Sequence, residues 1–173
     1  MQKRILLADD HAEARQATRL LLENRADWVI CGEADNGFDA VEKAATLKPD
    51  IVILDLSMPK MNGLEAAKII HTASPSLPLL LFSINAAYTQ APDTLRASGF
   101  RGAVSKATGW LLADAVEMLL QGKTFLNGSA LVTTPLIDAE ALPDANSHAA
   151  DEPQNAKQAA AGADDSSSKP PVA

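Results

Sequence analysis

The sequence predicts an α/β protein in which one five-stranded parallel sheet carries helices on both of its faces. Two observations support this class. Short apolar runs recur along the first 126 residues, and segments with helical periodicity lie between them, which is the pattern of alternating β-α units. The runs are nearly continuous in apolar residues, as expected for parallel strands that are buried on both faces.

Five of these runs have the usual strand length of about five residues. They are Arg4 to Ala8, Trp28 to Ala34, Ile51 to Leu54, Leu79 to Phe82, and Gly102 to Ser105. Five helices follow the strands. Apolar residues share one face in the first, second and last helix: Ala14, Ala17, Leu20 and Leu21; Phe38, Val41, Ala44 and Ala45; and Leu112, Val116, Leu119 and Leu120. The third helix is predicted from about Leu64 to His71 and the fourth from about Thr89 to Ala97.

Composition divides the chain into a folded domain, residues 1–126, and an acidic tail rich in Ala, Asp, Ser and Pro, residues 127–173. The formal net charge is −7, and residues 133–173 contribute 7 acidic against only 2 basic side chains. From about residue 133 the tail has too few large apolar side chains to offset chain entropy, so it is predicted to be disordered. The sequence has no clustered basic stripe, and direct nucleic-acid binding is therefore not expected.

The sequence predicts neither a membrane span nor a signal peptide. No segment reaches the ~20 continuous apolar residues of a membrane span, and acidic residues follow the N-terminus too early for a signal peptide. We therefore expect a cytoplasmic protein with no membrane contact. Cys31 is the single cysteine, which excludes an internal disulfide.

Four predicted strands are followed directly by side chains that suit phosphoryl chemistry. Asp9 and Asp10 follow the first strand, Asp55 the third, Ser83 ends the fourth, and Lys106 follows the fifth. Active groups of open parallel sheets gather at the carboxyl ends of the strands, so we expect these residues to share one crevice. Three carboxylates in one crevice repel each other, and a hard divalent cation such as Mg²⁺ relieves that repulsion.

This set of residues favours transfer of a phosphoryl group to a carboxylate. Asp55 would be the nucleophile and would form an aspartyl phosphate. Mg²⁺ and the Lys106 ammonium would balance the phosphoryl oxygens, and the Ser83 hydroxyl would donate a hydrogen bond to one of them. Each residue alone has a plainer interpretation: Asp10 with Glu13 fits a helix capping box, Ser83 a helix cap, and Lys106 a surface lysine. Their shared position at strand ends favours a single site.

The sequence resembles the receiver domains of bacterial two-component response regulators over about residues 3–126. The resemblance rests on the acidic pair after the first strand, the block D-L-S-M-P-K-M-N-G-L-E-A that begins at Asp55, and the serine and lysine at the fourth and fifth strand ends. It implies a flavodoxin-like, doubly wound fold with strand order 2-1-3-4-5. It also implies phosphorylation of Asp55 by a sensor histidine kinase or a histidine phosphotransfer protein. The implied metal ligands are Asp10, Asp55 and the Ser57 carbonyl, with Asp9 assisting.

The segments S-G-F-R-G-A-V-S-K-A and L-L-Q-G-K-T-F-L look most like the NarL-type subfamily, in which a helix-turn-helix DNA-binding domain normally follows. After Leu126 no second amphipathic helical unit is apparent, so we expect a receiver without that output domain. Two positions depart from the family pattern: Ala103 replaces an aromatic residue that usually swings inward, and Ile84 replaces a small residue. Tyr88 is a candidate for the missing aromatic role, although a surface or partner-contact tyrosine is the simpler interpretation.

The leading interpretation is a single-domain receiver that is not an enzyme, apart from catalysing its own phosphorylation and dephosphorylation. It would act through protein contact, either by relaying phosphoryl groups or by binding a downstream protein in a phosphorylation-dependent way, and phosphorylation could also promote a dimer. The alternative is a transcriptional regulator that has lost its DNA-binding domain or borrows one from a full-length relative. A phosphatase resembling the haloacid dehalogenases is disfavoured, because Ser57 stands where those enzymes carry a second acid. His11, His71 and His148 are too scattered for a metal-ligand set. His11 either flanks the acidic site or, as the simpler interpretation, is an exposed residue of the first helical turn.

Overall fold

The fold is described from a computed structural model that covers residues 1–85, 87, 91–126 and 129–131. The strands in this part of the chain are β1 (Lys3–Ala8), β2 (Trp28–Ala34), β3 (Ile51–Leu54), β4 (Leu79–Ser83), β5 (Phe100–Ser105), β6 (Thr124–Leu126) and β7 (Ser129–Leu131). The α-helices are α1 (Ala12–Leu22), α2 (Gly37–Leu47), α3 (Gly63–Ala73), α4 (Pro92–Ala97) and α5 (Leu112–Leu120), and a 3-10 helix spans Lys106–Leu111. Tyr88, the expected helix start at Thr89 and the tail from residue 132 lie outside the described residues.

The sheet has the strand order β2-β1-β3-β4-β5-β6-β7. Strands β1 to β5 are all parallel to their neighbours, which confirms the predicted doubly wound core with order 2-1-3-4-5 and its five helices. The short β6 adds to the edge through the pair Gly102 and Phe125, and β7 then pairs antiparallel with β6. Phe125 and Leu126 are buried, so apolar burial explains why this segment docks on the sheet.

Two apolar layers lie on opposite faces of the sheet. Successive strand residues point to opposite faces, so Leu6 and Ala8 belong to the layer shared with α2, α3 and α4. Ile5 and Leu7 belong to the layer shared with α1 and α5. The same alternation holds along β3, which confirms that the apolar runs are strands buried on both faces.

The buried face of α1 differs from the prediction. The sequence pattern favours burial of Leu20 and Leu21, yet both side chains are exposed, and Thr18 and Leu22 are buried instead. Thr18 tolerates burial because its Oγ1 donates a hydrogen bond to the Ala14 backbone oxygen at 2.8 Å. The prediction counted only apolar residues, so it missed a helix face that is partly polar.

The predicted buried faces of α2 and α5 have different outcomes. In α2, Phe38 is exposed although its spacing predicts burial, and Ala40 is buried in its place. In α5, Leu112, Val116 and Leu119 are all buried as predicted. None of the helices in the described part of the chain is both long and apolar enough to cross a bilayer.

Candidate functional site

Two backbone hydrogen bonds hold acidic residues directly beyond the ends of β1 and β3. The Asp9 N–H donates to the Ala34 oxygen at 3.0 Å, and the Asp55 N–H donates to the Ala8 oxygen at 2.7 Å. These bonds continue the parallel ladder past its last paired residues. Asp9 and Asp55 are each only 5% exposed. The sheet itself therefore fixes the positions of both carboxylates.

Lys106 joins these two buried carboxylates. Its Nζ lies 2.5 Å from Asp9 Oδ2 and 2.9 Å from Asp55 Oδ1. Burial lowers the pKa of Lys106, but the hydrogen bonds and charges of Asp9 and Asp55 raise it by more, and the pKa lies above its ordinary value. Lys106 is therefore a permanent cation between the carboxylates at physiological pH.

The two oxygens of Asp55 have different surroundings. Oδ2 accepts the Ser57 N–H at 2.7 Å. Oδ1 is buried and lies 2.9 Å from Lys106 Nζ, so it is paired with the ammonium. The two oxygens of the Asp55 carboxylate are thus held by different partners.

The loop after Asp55 returns so closely to the strand end that only glycine fits at position 63. The Gly63 N–H donates to the Leu56 oxygen at 2.9 Å, and a Cβ on Gly63 would lie 2.1 Å from the Asp55 backbone oxygen. Directly beyond the turn, Asn62 and Glu65 form a capping box that starts α3. The close approach at Gly63 thus fixes the backbone that carries Asp55.

Replacing Gly63 by alanine is expected to lower the free energy of unfolding by about 3 kcal/mol, because the new Cβ overlaps backbone that can yield only by moving Asp55. Urea unfolding followed by circular dichroism measures this change. Gly109→Ala is the matched control, since a Cβ there meets only side-chain atoms at 3.4 Å or more. A Gly63→Ala protein as stable as Gly109→Ala would contradict the close approach.

Asp10 and His11 extend the acidic group outward. His11 Nδ1 lies 2.8 Å from Asp10 Oδ1, and the His11 N–H donates to Asp9 Oδ1 at 3.0 Å. Asp9, Asp10 and His11 can each offer one ligand atom, and these atoms lie within 4.8 Å of one another. Among the described residues, Asp55 is not part of this group. His11 is 72% exposed, as predicted, but its contact with Asp10 was not foreseen. Only its position beside the acidic pair could have indicated it.

The acidic pair does not cap α1. The N-cap residue is His11, and its side chain makes no capping hydrogen bond. Asp9 instead directs its carboxylate to Lys106 and to the His11 N–H. The capping-box alternative for Asp10 and Glu13 is therefore not what the structure shows.

Ser83 and Lys106 lie at the same edge of the sheet. Ser83 pairs with Ser105 across β4 and β5, and its side chain is fully buried. Its Oγ accepts the Asn85 N–H at 3.3 Å, which leaves the hydroxyl proton available to another acceptor. Within the described residues no hydrogen bond joins Ser83 to Asp55. Ser83 is thus near Lys106 in the sheet without completing the carboxylate cluster.

The charge balance of this site fits a divalent cation. Asp9, Asp10 and Asp55 supply three carboxylates, whereas among the described residues the Lys106 ammonium contacts only two of them, Asp9 and Asp55. Oxygen ligands of this kind are those that Mg²⁺ takes in proteins, usually with several waters retained. The residues present therefore fit Mg²⁺.

A doubly wound parallel sheet with a carboxylate cluster and one lysine at its strand ends defines the class of receiver-like signalling domains. The sequence matches the response regulator receiver domain over residues 5–111. The chain therefore belongs to the response regulator receiver domain family, whose members work in two-component systems and bind Mg²⁺ in an acidic pocket.

Solved structures place the fold in the same group. A two-component response regulator of the LuxR family from Aurantimonas sp. SI85-9A1 superposes with a TM-score of 0.68 at 29% identity, covering 73% of this chain and 90% of that one. The receiver domain of a response regulator NarL from Mycobacterium tuberculosis gives 0.64 at 26% identity, covering 70% of this chain and 98% of that one. These neighbours support the NarL-type resemblance.

Curated relatives match this chain over only part of their own length. A protein-glutamate methylesterase/protein-glutamine glutaminase of Methanosarcina acetivorans is 49% identical over 80 residues, which is 46% of this chain and 23% of that protein. The chain spans about half the length of a transcriptional regulatory protein of Bacillus subtilis that it also matches. The names of these relatives thus describe proteins much longer than the matched segment.

Proposed function

We propose that this chain accepts a phosphoryl group on Asp55 from a phosphohistidine of a sensor histidine kinase or a histidine phosphotransfer protein. The observation that carries the proposal is the placement of the Asp55 carboxylate, held by the Ser57 N–H on one oxygen and beside Lys106 on the other. Membership of the receiver family supports it. The fixed carboxylate is presented at the carboxyl edge of the sheet, where ligands of such folds bind.

In the proposed step, an Asp55 carboxylate oxygen attacks the phosphorus, and the phosphorus–nitrogen bond of the phosphohistidine breaks. The imidazole leaves with the bonding electron pair, and because its other ring nitrogen carries a proton before the transfer, it leaves as a neutral imidazole. Phosphoryl transfer of this kind depends on positioning and on charge stabilisation more than on a general base. Lys106 supplies a fixed positive charge next to the attacking carboxylate, and the Ser57 N–H holds the second oxygen in place.

The proposed metal ligands are Asp10, Asp55 and the Ser57 carbonyl, with Asp9 assisting. When bound there, Mg²⁺ would neutralise charge on the phosphoryl oxygens. Asp9 also holds Lys106 through a contact of 2.5 Å, so it serves the ammonium as well as the cation. Because Asp9 is partly engaged by Lys106, the neighbouring Asp10 would supply the main carboxylate ligand from the end of β1.

Asp10→Ala is expected to raise the Mg²⁺ concentration needed for half-maximal phosphorylation by at least about tenfold, because Mg²⁺ is held by few protein ligands. Acetyl phosphate serves as donor, and intact mass spectrometry follows the phosphate-sized gain over a Mg²⁺ series. Asp27→Ala is a control outside the site. Equal Mg²⁺ dependence in Asp10→Ala and wild type would remove Asp10 from the ligand set.

Phosphorylation would draw Ser83 and Lys106 toward Asp55, because the phosphoryl group adds roughly −1.5 to −2 charges and strong acceptor oxygens. The residue that usually reads this change is small here: Ala103 is buried beside Leu81. Ile84 extends into solvent at 78% exposure, where a partner can contact it. We propose that the phosphorylated domain signals by contacting a downstream protein through this region. Amide exchange over residues 83–106, compared with and without a phosphoryl mimic at Asp55, should change if the region responds to phosphorylation, and unchanged exchange would contradict the response.

A transcriptional role through a separate DNA-binding partner is the second candidate. It is favoured by the similarity to a LuxR-family regulator and to a transcriptional regulatory protein. In that case phosphorylation would promote pairing with a full-length relative. Light scattering after size exclusion, with each protein alone and mixed, separates this outcome from contact with a different kind of protein.

A further inference from the structure

Arg15 lies behind the acidic site and joins two elements. Its Nη1 donates a hydrogen bond to the Asp9 backbone oxygen at 2.7 Å, and its Nε donates to Glu33 Oε2 at 3.0 Å. The side chain is only 18% exposed and lines a small cavity together with Asp9, Asp55 and Thr18. An arginine in this position was not singled out from the sequence.

The peptide unit that links Asp9 to Asp10 is held by this contact. The peptide bond is planar, so a hydrogen bond to the Asp9 oxygen also orients the Asp10 N–H and the start of the Asp10 backbone. The Asp9 N–H is already bonded to Ala34, and Arg15 is bonded to Glu33, the neighbouring residue of β2. Two adjacent β2 residues thus fix both sides of the Asp9 backbone.

Glu33 is suited to hold Arg15 in one orientation. The hydrogen bond from Arg19 lowers the pKa of Glu33, burial opposes this, and the hydrogen bond from Arg15 lowers the pKa further, so it lies below its ordinary value. Glu33 therefore remains a carboxylate at physiological pH. Its two oxygens serve different arginines, Oε2 for Arg15 and Oε1 for Arg19.

Arg19 provides the comparison that separates two explanations. Both arginines tie α1 to β2 through Glu33, but only Arg15 also contacts the backbone of the acidic site. Arg19 has a second acidic partner instead, because its Nη1 donates to Glu23 Oε1 at 3.1 Å within α1. If the network served stability alone, removal of either arginine would affect stability and leave cation binding unchanged. Through its hydrogen bond to the Asp9 backbone oxygen, Arg15 contacts the segment that carries the proposed cation ligands, whereas Arg19 makes no such contact in the described structure.

We propose that Arg15, oriented by Glu33, is a positioning residue that holds the Asp9–Asp10 peptide in the geometry required for divalent-cation binding. The inference rests on the proposed function for its biological use, although cation binding itself does not require phosphorylation. Groups that orient metal ligands typically change metal affinity by about 10-fold to 100-fold when they are removed.

The test measures Mn²⁺ binding to the unphosphorylated full chain by electron paramagnetic resonance, with urea unfolding of each variant as the measure of stability. Arg15→Gln is expected to weaken Mn²⁺ binding by about tenfold. Arg19→Gln is expected to lower stability and leave Mn²⁺ binding unchanged. Arg15→Lys keeps the charge but cannot span both acceptors, so it should recover only part of the affinity.

If Arg15 acted only through its positive charge, its removal would tighten Mn²⁺ binding, because a nearby cation repels Mn²⁺. Tighter Mn²⁺ binding in Arg15→Gln, or equal effects of Arg15→Gln and Arg19→Gln on affinity, would overturn the proposal. If Arg15→Gln does not fold, Glu33→Gln replaces it, and unchanged Mn²⁺ affinity in that variant would also overturn it. Failure of wild type to gain phosphate from acetyl phosphate and from a phosphorylated histidine phosphotransfer protein would refute the proposed function and leave this binding result standing.

Discussion

Asp55→Asn is expected to abolish phosphorylation completely. Wild-type protein incubated with acetyl phosphate and Mg²⁺ should gain one phosphate-sized mass, and the variant should gain none, because a neutral amide is not a nucleophile toward phosphorus. The substitution keeps the shape of the side chain, so an amide oxygen can still accept the Ser57 N–H. Intact mass spectrometry measures the gain, and urea unfolding establishes that the variant is folded.

Asp93→Asn is the matched control, since Asp93 is an exposed carboxylate on α4 whose contact is a surface pair with Arg96. It should be labelled as wild type is. Survival of the mass gain in Asp55→Asn would show that another residue accepts the phosphoryl group. Loss of the gain in both variants would point to a general effect of the substitutions on the protein.

The strand arrangement was predictable because its signal is local. Apolar runs such as Ile51 to Leu54 are buried on both faces, so each appears in the sequence as a short block of consecutive apolar residues. Since parallel strands place their carboxyl ends at one edge, Asp9, Asp55 and Lys106 could be expected to converge, and the structure brings these three together. Their chemical roles remain predictions, because geometry alone does not assign a nucleophile.

The parts of the site that the sequence did not indicate are polar residues in partly buried positions. Arg15 and Thr18 lie on the buried face of α1, where hydrogen bonds to backbone oxygens satisfy them. A search for apolar residues at helical spacing does not detect a buried face that is partly polar. The sequence therefore predicted the wrong buried face for α1 and placed Leu20 on it. A place for His11 beside the site was only an alternative, because its contact with Asp10 depends on side-chain geometry and has no sequence pattern of its own.

Lys106→Met is expected to lower the free energy of unfolding substantially. The ammonium lies between two carboxylates that are each 5% exposed, and methionine leaves both without their countercharge. Removing one partner of a buried ion pair costs about 3 to 5 kcal/mol, and the lower end applies because solvent reaches 18% of the lysine side chain. Urea unfolding in the presence of EDTA measures this loss.

Added Mg²⁺ should restore much of the stability of Lys106→Met, because a cation that binds only the folded state stabilises it by about 2.7 kcal/mol at a hundredfold excess over Kd. The variant should gain more from Mg²⁺ than wild type does, since its carboxylates carry more unbalanced charge. Lys68→Met is the control, as Lys68 is exposed on α3 away from the carboxylates. If Lys106→Met matches this control in EDTA, or if Mg²⁺ stabilises it no more than wild type, the ammonium does not balance Asp9 and Asp55 in the folded protein.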